Sequence, residues 1–367
     1  MATPTPSTPV SSGVRNRFLL AGGVSLLAWL LLTVVAPGPS VPWTPEMTRA
    51  SRAMAAALDT VARHCRSLGI PPPPGLDPNG TCLVGPELSP LVTSLGHLEA
   101  KRTTLTPDVA ALLAHLLAEA GVGPGDAVAV GASGSFPGLM LATLVAVESL
   151  EARPRALLSL GASSYGATRP TFHLLDLYRL LESAGFVSAP PLAVSLGGSE
   201  DVGRRMEEGF RQTLLEELRG EPVPLLQDPD LPSNVERRLA LYGSVEAFVN
   251  VGGAEANMGV SPKILALPPG RVEEEVDLPP REEQGVLFGM LHRGVPVIHL
   301  LNVRGLALRF GLPWDPLPLP DPGSTRLGDA RHGRGPLFWL LTVLYLAALA
   351  GVAFGGRPGA PGKGEKR

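Results

Sequence analysis

The sequence predicts an α/β domain with a mostly parallel, Rossmann-like sheet in three layers, flanked by N- and C-terminal transmembrane helices. Short apolar runs alternate with helical patterns through the centre of the 367-residue chain, as expected of βα units with parallel strands. Glycine- and serine-rich turns follow several of these runs. An uncharged apolar segment near each end is long enough to cross a bilayer core of about 30 Å.

The two apolar segments cover residues 18–36 and 337–354. Arg15 and Arg17 precede the first segment, and the positive-inside rule therefore places the N-terminus in the cytoplasm. The tail after the second segment is also basic, which favours a cytoplasmic C-terminus. We expect a multi-pass membrane protein with two helices, whose main domain is extracytoplasmic. A cleaved signal peptide is the alternative for the first segment.

The remaining boundaries follow from composition. Residues 1–17 are rich in Pro, Ser and Thr and are predicted to be a disordered cytoplasmic tail. Residues 355–367 form the second cytoplasmic tail. Between the membrane segments, residues 37–325 form the α/β domain.

Net charge and cysteine content exclude several classes. A net charge of −3 and the lack of a basic stripe argue against nucleic acid binding. The only two cysteines, Cys65 and Cys82, could form a disulfide in an oxidising compartment or remain free thiols. No Cys/His cluster has metal-binding spacing, and neither a P-loop nor a complete dinucleotide-binding glycine pattern occurs. We therefore expect no metal and no cofactor.

The N-terminal part of the domain, residues 44–105, is predicted to be helical and irregular. Thr44-Pro45-Glu46 places a capping hydroxyl before a proline and an acid, which predicts a helix start. This helix runs to about residue 68, where a glycine and a proline run stop it. Residues 76–94 are predicted to be irregular.

The sheet core is predicted at residues 106–302. A helix begins at Thr106 and ends at Gly121. Strands are expected at residues 127–130, 156–160, 192–196, 223–226, 245–251 and 297–301, and further helices at 136–150, 170–183, 203–218, 232–242 and 281–292. Ligands of such sheets bind beyond the carboxyl ends of the strands. Residues 303–325 form a Pro-rich extension.

The first glycine-rich loop, residues 131–135 (GASGS), is compatible with a nucleophile elbow. In that interpretation Ser133 or Ser135 attacks a substrate, and His299 acts as the base. Asp315 is a candidate for the carboxylate, although the GxSxG pattern is not met. Other candidates for these supporting roles are His97, Glu99 and Asp126.

Two other interpretations of this loop are open. In an anion cradle, Gly131 and Gly134 direct backbone N–H groups at a ligand without covalent chemistry. In a plain tight turn, Ser135 caps the following helix. His299 has a comparable alternative, because a lone histidine in an apolar strand is often a hydrogen-bonded core residue.

Further loops supply polar groups to the same edge of the sheet. Ser163, Ser164 and Tyr165 offer hydroxyls, and Gly253 and Asn257 follow a later strand. We expect these residues to bind a ligand together with the first loop. Lys101 and Arg102 contact an anionic substrate or form a solvated basic pair.

Five blocks of this chain, in order, resemble the bacterial poly-gamma-glutamate system protein family. They are TSLGHLEAKR (93–102), GASGSFP (131–137), SLGASSYGAT (159–168), VNVGGA (249–254) and PVIHLLN (296–302). The resemblance covers most of residues 45–325.

The resemblance implies a bacterial membrane component that accompanies the poly-gamma-glutamate synthase membrane proteins. It implies a role in making or exporting an anionic, capsule-type polymer, but no particular active site. The expected function is an accessory one, in which the Gly/Ser loops bind an anionic ligand or the polymer itself. The alternatives are a serine hydrolase or transpeptidase acting on the polymer, and a structural scaffold for the synthase. A domain outside the cell has no ATP, so the resemblance does not imply the ligase itself.

Overall fold

The computed structural model describes residues 12–32, 40–273, 276–330 and 335–354. The chain divides into a terminal unit, Met1–Ser40 with Gly328–Arg367, and a central unit, Val41–Leu327. The elements of the described residues are α1 (Ser12–Leu30), α2 (Pro45–Ser67), β1 (Val92–Ser94), α3 (Leu98–Thr103), α4 (Asp108–Glu119), β2 (Ala127–Ser133), α5 (Pro137–Ser149), β3 (Arg153–Ser159), β4 (Ala162–Ser163), α6 (Leu174–Ser183), β5 (Ala193–Ser195), α7 (Glu208–Arg219), α8 (Leu231–Tyr242), β6 (Ala247–Val251), α9 (Glu255–Met258), β7 (Gly270–Val272), α10 (Val286–His292), β8 (Val297–Leu300), α11 (Val303–Phe310) and α12 (Pro336–Phe354).

A six-stranded sheet in the order β5-β3-β2-β6-β8-β7 forms the centre of the central unit. Its strands are parallel except β7, which runs antiparallel to β8. The predicted α/β class with a mostly parallel sheet is therefore confirmed. The chain moves outward from β2 to β3 and β5, and then crosses back to β6 and β8. The direction of winding thus reverses between β2 and β6, and such a switch point opens a crevice at the carboxyl ends of the strands.

Helices cover both faces of this sheet. Along β2, Val128 and Val130 belong to one hydrophobic cluster and Ala129 to another, because successive strand residues point to opposite faces. On the first face, α5 lies between the sheet and the helices α2 and α4. All of its residues except Glu148 are buried, which explains why this helix is apolar on every side.

Most predicted elements are present, but the strand at 223–226 is not. A single bridge joins Leu225 to Val194 there. Pro222 and Pro224 lack backbone N–H groups and cannot donate to a ladder. The predicted helix at 281–292 is also shorter, because a 3₁₀ turn (Arg281–Glu283) precedes α10.

Several regions contain structure that the sequence did not predict. Within the segment predicted as irregular, β1 pairs in parallel with β4 to form a small second sheet. The short helix α3 follows it. The first eight residues of the Pro-rich extension form α11, which Asn302 caps by accepting from the Gly305 N–H at 2.8 Å.

In the terminal unit, α1 and α12 pack together, and Ser25 Oγ lies 3.1 Å from Tyr345 Oη. Among the described residues, only α12 is long and apolar enough to cross a membrane by length and composition. The apolar part of the first helix, Asn16–Leu30, is shorter. Residues 33–36 of the predicted first segment lie outside the described residues, so one of the two predicted spans has a structural counterpart.

The terminal tails are described only in part. Residues 12–17, predicted to be disordered, belong to α1. Residues 1–11 and 355–367 lie outside the described part of the chain.

Cys65 and Cys82 form a disulfide that joins the end of α2 to the following loop. We expect the double variant Cys65→Ser/Cys82→Ser to lose about 3 kcal/mol of unfolding free energy, because an unfolded chain without this cross-link gains entropy. Urea unfolding of the two proteins measures the difference. Dithiothreitol should destabilise the wild type but not the variant. Equal urea midpoints for both proteins would contradict the prediction.

Candidate functional site

A cavity of about 620 Å³ lies at the carboxyl ends of the parallel strands, within the usual size range of small-molecule sites. Ser133 ends β2, Ser135 follows it, Ser163 ends β4, and Gly253 follows β6. The segment from Thr93 in β1 to Lys101 in α3 also contributes to the wall. The cavity therefore lies at the switch point between β2 and β6, where the fold class predicts a ligand site.

Two glycines allow the loops around the cavity to approach one another closely. Gly252 has a φ of +84°, and a Cβ there would lie 2.4 Å from Ser133 Oγ. A Cβ on Gly134 would lie 2.4 Å from the carbonyl oxygen of Leu160. Any larger residue would push these loops apart, so the two glycines determine how closely the loop serines are held.

Lys101 on α3 is the one lysine among the residues that line this cavity, and it is only 2% exposed. Its Nζ donates to the carbonyl oxygen of Ser135 and lies 2.6 Å from Ser163 Oγ. The same nitrogen lies 3.8 Å from the centre of the Phe136 ring. The predicted alternatives for Lys101 were an anion contact and a solvated pair with Arg102. The solvated pair is wrong for Lys101, because the loops after β2 and β3 enclose its ammonium group.

Burial lowers the pKa of Lys101 to about 7, because an apolar environment disfavours the charged form. A substantial fraction of this amine is therefore unprotonated at neutral pH. Such a group can both donate and accept hydrogen bonds at Ser163.

Arg102 points elsewhere and forms a bidentate ion pair with Asp315, with Nε 2.6 Å from Oδ1. This hydrogen bonding raises the pKa of Arg102 above its usual range. Asp315 also donates its backbone N–H to Thr103 Oγ1 at 2.9 Å. The pair holds the segment after α11 against α3, and Asp315 is therefore occupied by Arg102 rather than by a histidine.

The predicted elbow serines both line the cavity but make different contacts. Ser133 Oγ donates to the carbonyl oxygen of Val251 at 3.3 Å. Ser135 Oγ accepts the backbone N–H of Ser163 at 3.0 Å. Each hydroxyl thus ties its loop to a neighbouring loop.

His299 does not complete the predicted triad. It is 2% exposed and does not line the cavity, and Asn250 Nδ2 donates to its Nδ1 at 3.1 Å. Burial lowers the pKa of His299 to about 4, so the imidazole is neutral. In the described part of the chain no hydrogen bond joins it to Ser133 or Ser135. Its core alternative is the one that the geometry favours.

The predicted ligand residues divide between the cavity wall and the layer behind it. Ser163 and Gly253 line the cavity. The others lie outside its lining: Gly131, Gly134, Ser164, Tyr165 and Asn257. A Cβ on Gly131 would lie 2.7 Å from Asn257 Nδ2, so this pair serves packing between β2 and α9.

Two further carboxylates, Glu255 on α9 and the supporting candidate Asp126, are committed to loop structure. Glu255 accepts from Ser199 Oγ at 2.6 Å and from the Glu200 N–H at 2.7 Å. Asp126 accepts the Gly123 N–H at 2.8 Å. Neither lines the cavity.

Most of the ionisable side chains at the cavity are basic. Arg304 and His97 line it together with Lys101, and Glu99 is the carboxylate among the lining residues. The Arg304 guanidinium lies 5.6 Å from the centre of the Trp314 ring. In the described residues Arg304 forms no ion pair, so its charge is available to an anion.

The pairing of Lys101 with Ser163 was not predicted from the sequence. No local signal indicates it, because 62 positions separate the two residues and only the folded loops bring them together. Comparisons with known proteins return no relative, since no protein-family model, no curated protein and no solved structure matches the chain.

Proposed function

We propose that this chain is a membrane-anchored component of poly-gamma-glutamate synthesis or export whose cavity binds a carboxylate-bearing part of the polymer. One observation carries the proposal. All five blocks on which the family resemblance rests contribute residues to the wall of this single cavity, for example Lys101, Ser135, Ser163, Gly253 and Leu301. Blocks scattered along the chain converge on one place, which is expected of a shared ligand site.

The charge and shape of the cavity support an anionic ligand. Arg304 has no ion-pair partner among the described residues and lies beside the ring of Trp314, and a guanidinium binds carboxylates through paired hydrogen bonds. Ser133 and Ser163 add hydroxyl groups to the wall. Glu99, also in the wall, opposes this attraction.

The proposed location is the outer side of a bacterial cell membrane, with both tails in the cytoplasm. The apolar helix α12 supports anchoring, and Arg15 and Arg17 support the orientation. The disulfide between Cys65 and Cys82 supports an oxidising compartment. In that place the domain would meet the polymer and the synthase membrane proteins after the ATP-dependent step.

The test is Arg304→Ala in a strain that lacks the gene, complemented with full-length variants. We expect cell-surface poly-gamma-glutamate to fall about tenfold, the size of effect that loss of one charged hydrogen-bonding group produces. Arg63→Ala is the matched control, since Arg63 lies on α2, outside the cavity lining. Protein level and membrane fraction are measured for each variant.

Each result of this test has a different meaning. Normal polymer in the deletion strain would overturn the proposed role. Loss of polymer in the deletion strain together with normal polymer in the Arg304→Ala strain would favour the scaffold. Loss of polymer in both strains would support binding at the cavity. Binding of the purified protein to glutamate oligomers should then weaken as salt increases.

A further inference from the structure

Ser163 and Lys101 form a close pair at the cavity wall that anion binding alone does not require. The distance between Ser163 Oγ and Lys101 Nζ is 2.6 Å. Within the described residues no carboxylate is bonded to this lysine, whose other polar contact is the carbonyl oxygen of Ser135. Lys101 is therefore not part of a buried ion pair. Its polar partner on the cavity side is the hydroxyl of Ser163.

We propose that Ser163 is a nucleophile and Lys101 its general base, and that the pair transfers acyl groups from amides bound in the cavity. The substrate class, an amide next to a free carboxylate as in a gamma-glutamyl chain, rests on the proposed function. Serine–lysine pairs are a recognised alternative to the serine–histidine arrangement.

Acylation of Ser163 needs no reactant other than the bound amide. Ser163 Oγ bonds to the amide carbonyl carbon, and its proton moves to Lys101 Nζ. The tetrahedral intermediate then collapses, the C–N bond breaks, and the ammonium of Lys101 returns the proton to the leaving amine. Water or the amine of another chain then attacks the resulting ester and gives its proton to Lys101 Nζ. The ester C–O bond breaks, the proton returns to Ser163 Oγ, and the product is a carboxylic acid (hydrolysis) or a new amide (transpeptidation).

The contacts favour Ser163 over Ser133 and Ser135, the two serines of the 131–135 loop. Ser133 Oγ donates to Val251 O, and Ser135 Oγ holds the backbone N–H of Ser163. Ser163 is thus positioned by one serine and contacted by the lysine. The space beside it is kept free by Gly96, where a Cβ would lie 3.1 Å from Ser163 Oγ and 3.3 Å from Lys101 Cε.

The lowered pKa of Lys101 fits the role of a general base. Because burial lowers the pKa of Lys101 to about 7, the free amine is present at the pH at which a general base must work. Lys263, in contrast, is a surface lysine that pairs with the exposed carboxylate of Asp277.

The experiment is covalent labelling of the full-length protein in detergent with a fluorophosphonate, followed by peptide mass spectrometry. We expect the label on Ser163, and we expect Ser163→Ala to abolish it. Ser164→Ala is the matched control, because that neighbouring hydroxyl lies outside the cavity lining and has no hydrogen-bond partner in the described chain. The Ser164→Ala protein should be labelled on Ser163 at the wild-type rate.

The lysine is tested by its effect on rate and pH profile. Lys101→Met should slow labelling at least 100-fold, and Lys101→Arg should not restore it, because arginine stays protonated. Lys263→Met should leave the rate unchanged. The wild-type rate should rise with pH around a midpoint near 7, and a purely structural lysine would not produce this profile in properly folded protein.

Two results would overturn the inference: no labelling of the wild type, or equal labelling of Ser163→Ala. If the wild-type protein binds glutamate oligomers but is not labelled, the acyl-transfer step is contradicted and the proposed function stands. Labelling of Ser163 with no oligomer binding and no polymer defect on deletion would remove the proposed function and support acyl transfer to another substrate.

Discussion

Replacing Arg238 with methionine is expected to lower the free energy of unfolding by about 3–5 kcal/mol. Arg238 on α8 is fully buried, and its Nη2 lies 2.6 Å from Asp201 Oδ2. Ser159 and Ser195 complete the cluster, because their hydroxyls contact both the arginine and the carboxylate. Removing the cation leaves Asp201 buried without its charge partner, and this uncompensated charge causes the loss.

The cluster matters for the site because it holds the carboxyl ends of two strands. Ser159 ends β3 and Ser195 ends β5, and Asp201 belongs to the loop that follows. Gly198, in the same loop, lines the cavity. Loosening this cluster should therefore also disturb the wall of the cavity.

Urea unfolding with Arg237→Met as the matched control measures the effect. Arg237 immediately precedes Arg238 on α8 and pairs with Asp228 at the surface, so its replacement should change the free energy of unfolding by less than about 1 kcal/mol. Adding Asp201→Asn to Arg238→Met should recover part of the loss, because the unpaired charge is then removed. Equal midpoints for the two arginine variants would show that the buried pair contributes no more than the exposed one.

Local chemistry explains which parts of the fold could be predicted. The start of α2 was predicted from Thr44, and its side chain indeed accepts the Met47 N–H at 3.2 Å. The apolar runs predicted β2, β3 and β6 because buried parallel strands are apolar on both faces. In contrast, β7 comprises three residues in a segment rich in glycine and proline, and only its pairing with β8 makes it a strand.

The sequence pointed to the edge of the sheet where the cavity lies, but not to the contacts made there. The glycine–serine loops meet at the switch point, and Ser163 lies on the wall of the cavity. His299, the predicted base, does not line the cavity, because sequence does not reveal where a buried side chain is directed. His299 lies in register with Asn250 and Gly131, in the row of the sheet where Asn257 closes over Gly131.

Replacing Lys101 with methionine is expected to stabilise the protein by about 3–4 kcal/mol at pH 6, although it removes hydrogen bonds. The pKa of Lys101 falls from 10.5 to about 7 on folding. That difference corresponds to a cost on the order of 5 kcal/mol for the buried charge. Loss of two hydrogen bonds offsets about 1–2 kcal/mol of the gain.

The sign of this effect depends on pH. Between pH 7 and 10.5 the unfolded chain holds a proton on Lys101 that the folded chain has released, so the stability of the wild type rises with pH relative to the methionine variant. Near pH 10.5 the charge cost vanishes, and the variant should become less stable by about 1–2 kcal/mol because only the lost hydrogen bonds remain.

Thermal and urea unfolding of wild type and Lys101→Met from pH 6 to 10 measures this crossover, with Lys263→Met as the control that should show none. A difference independent of pH would mean that Lys101 keeps its proton in the folded state and cannot act as a base. If the crossover is found, the variant that gains stability is the one expected to lose labelling at Ser163. A buried lysine that destabilises the fold at neutral pH is expected where function requires it. Lys101→Met should therefore raise the free energy of unfolding near neutral pH and, in the same protein, slow the labelling of Ser163.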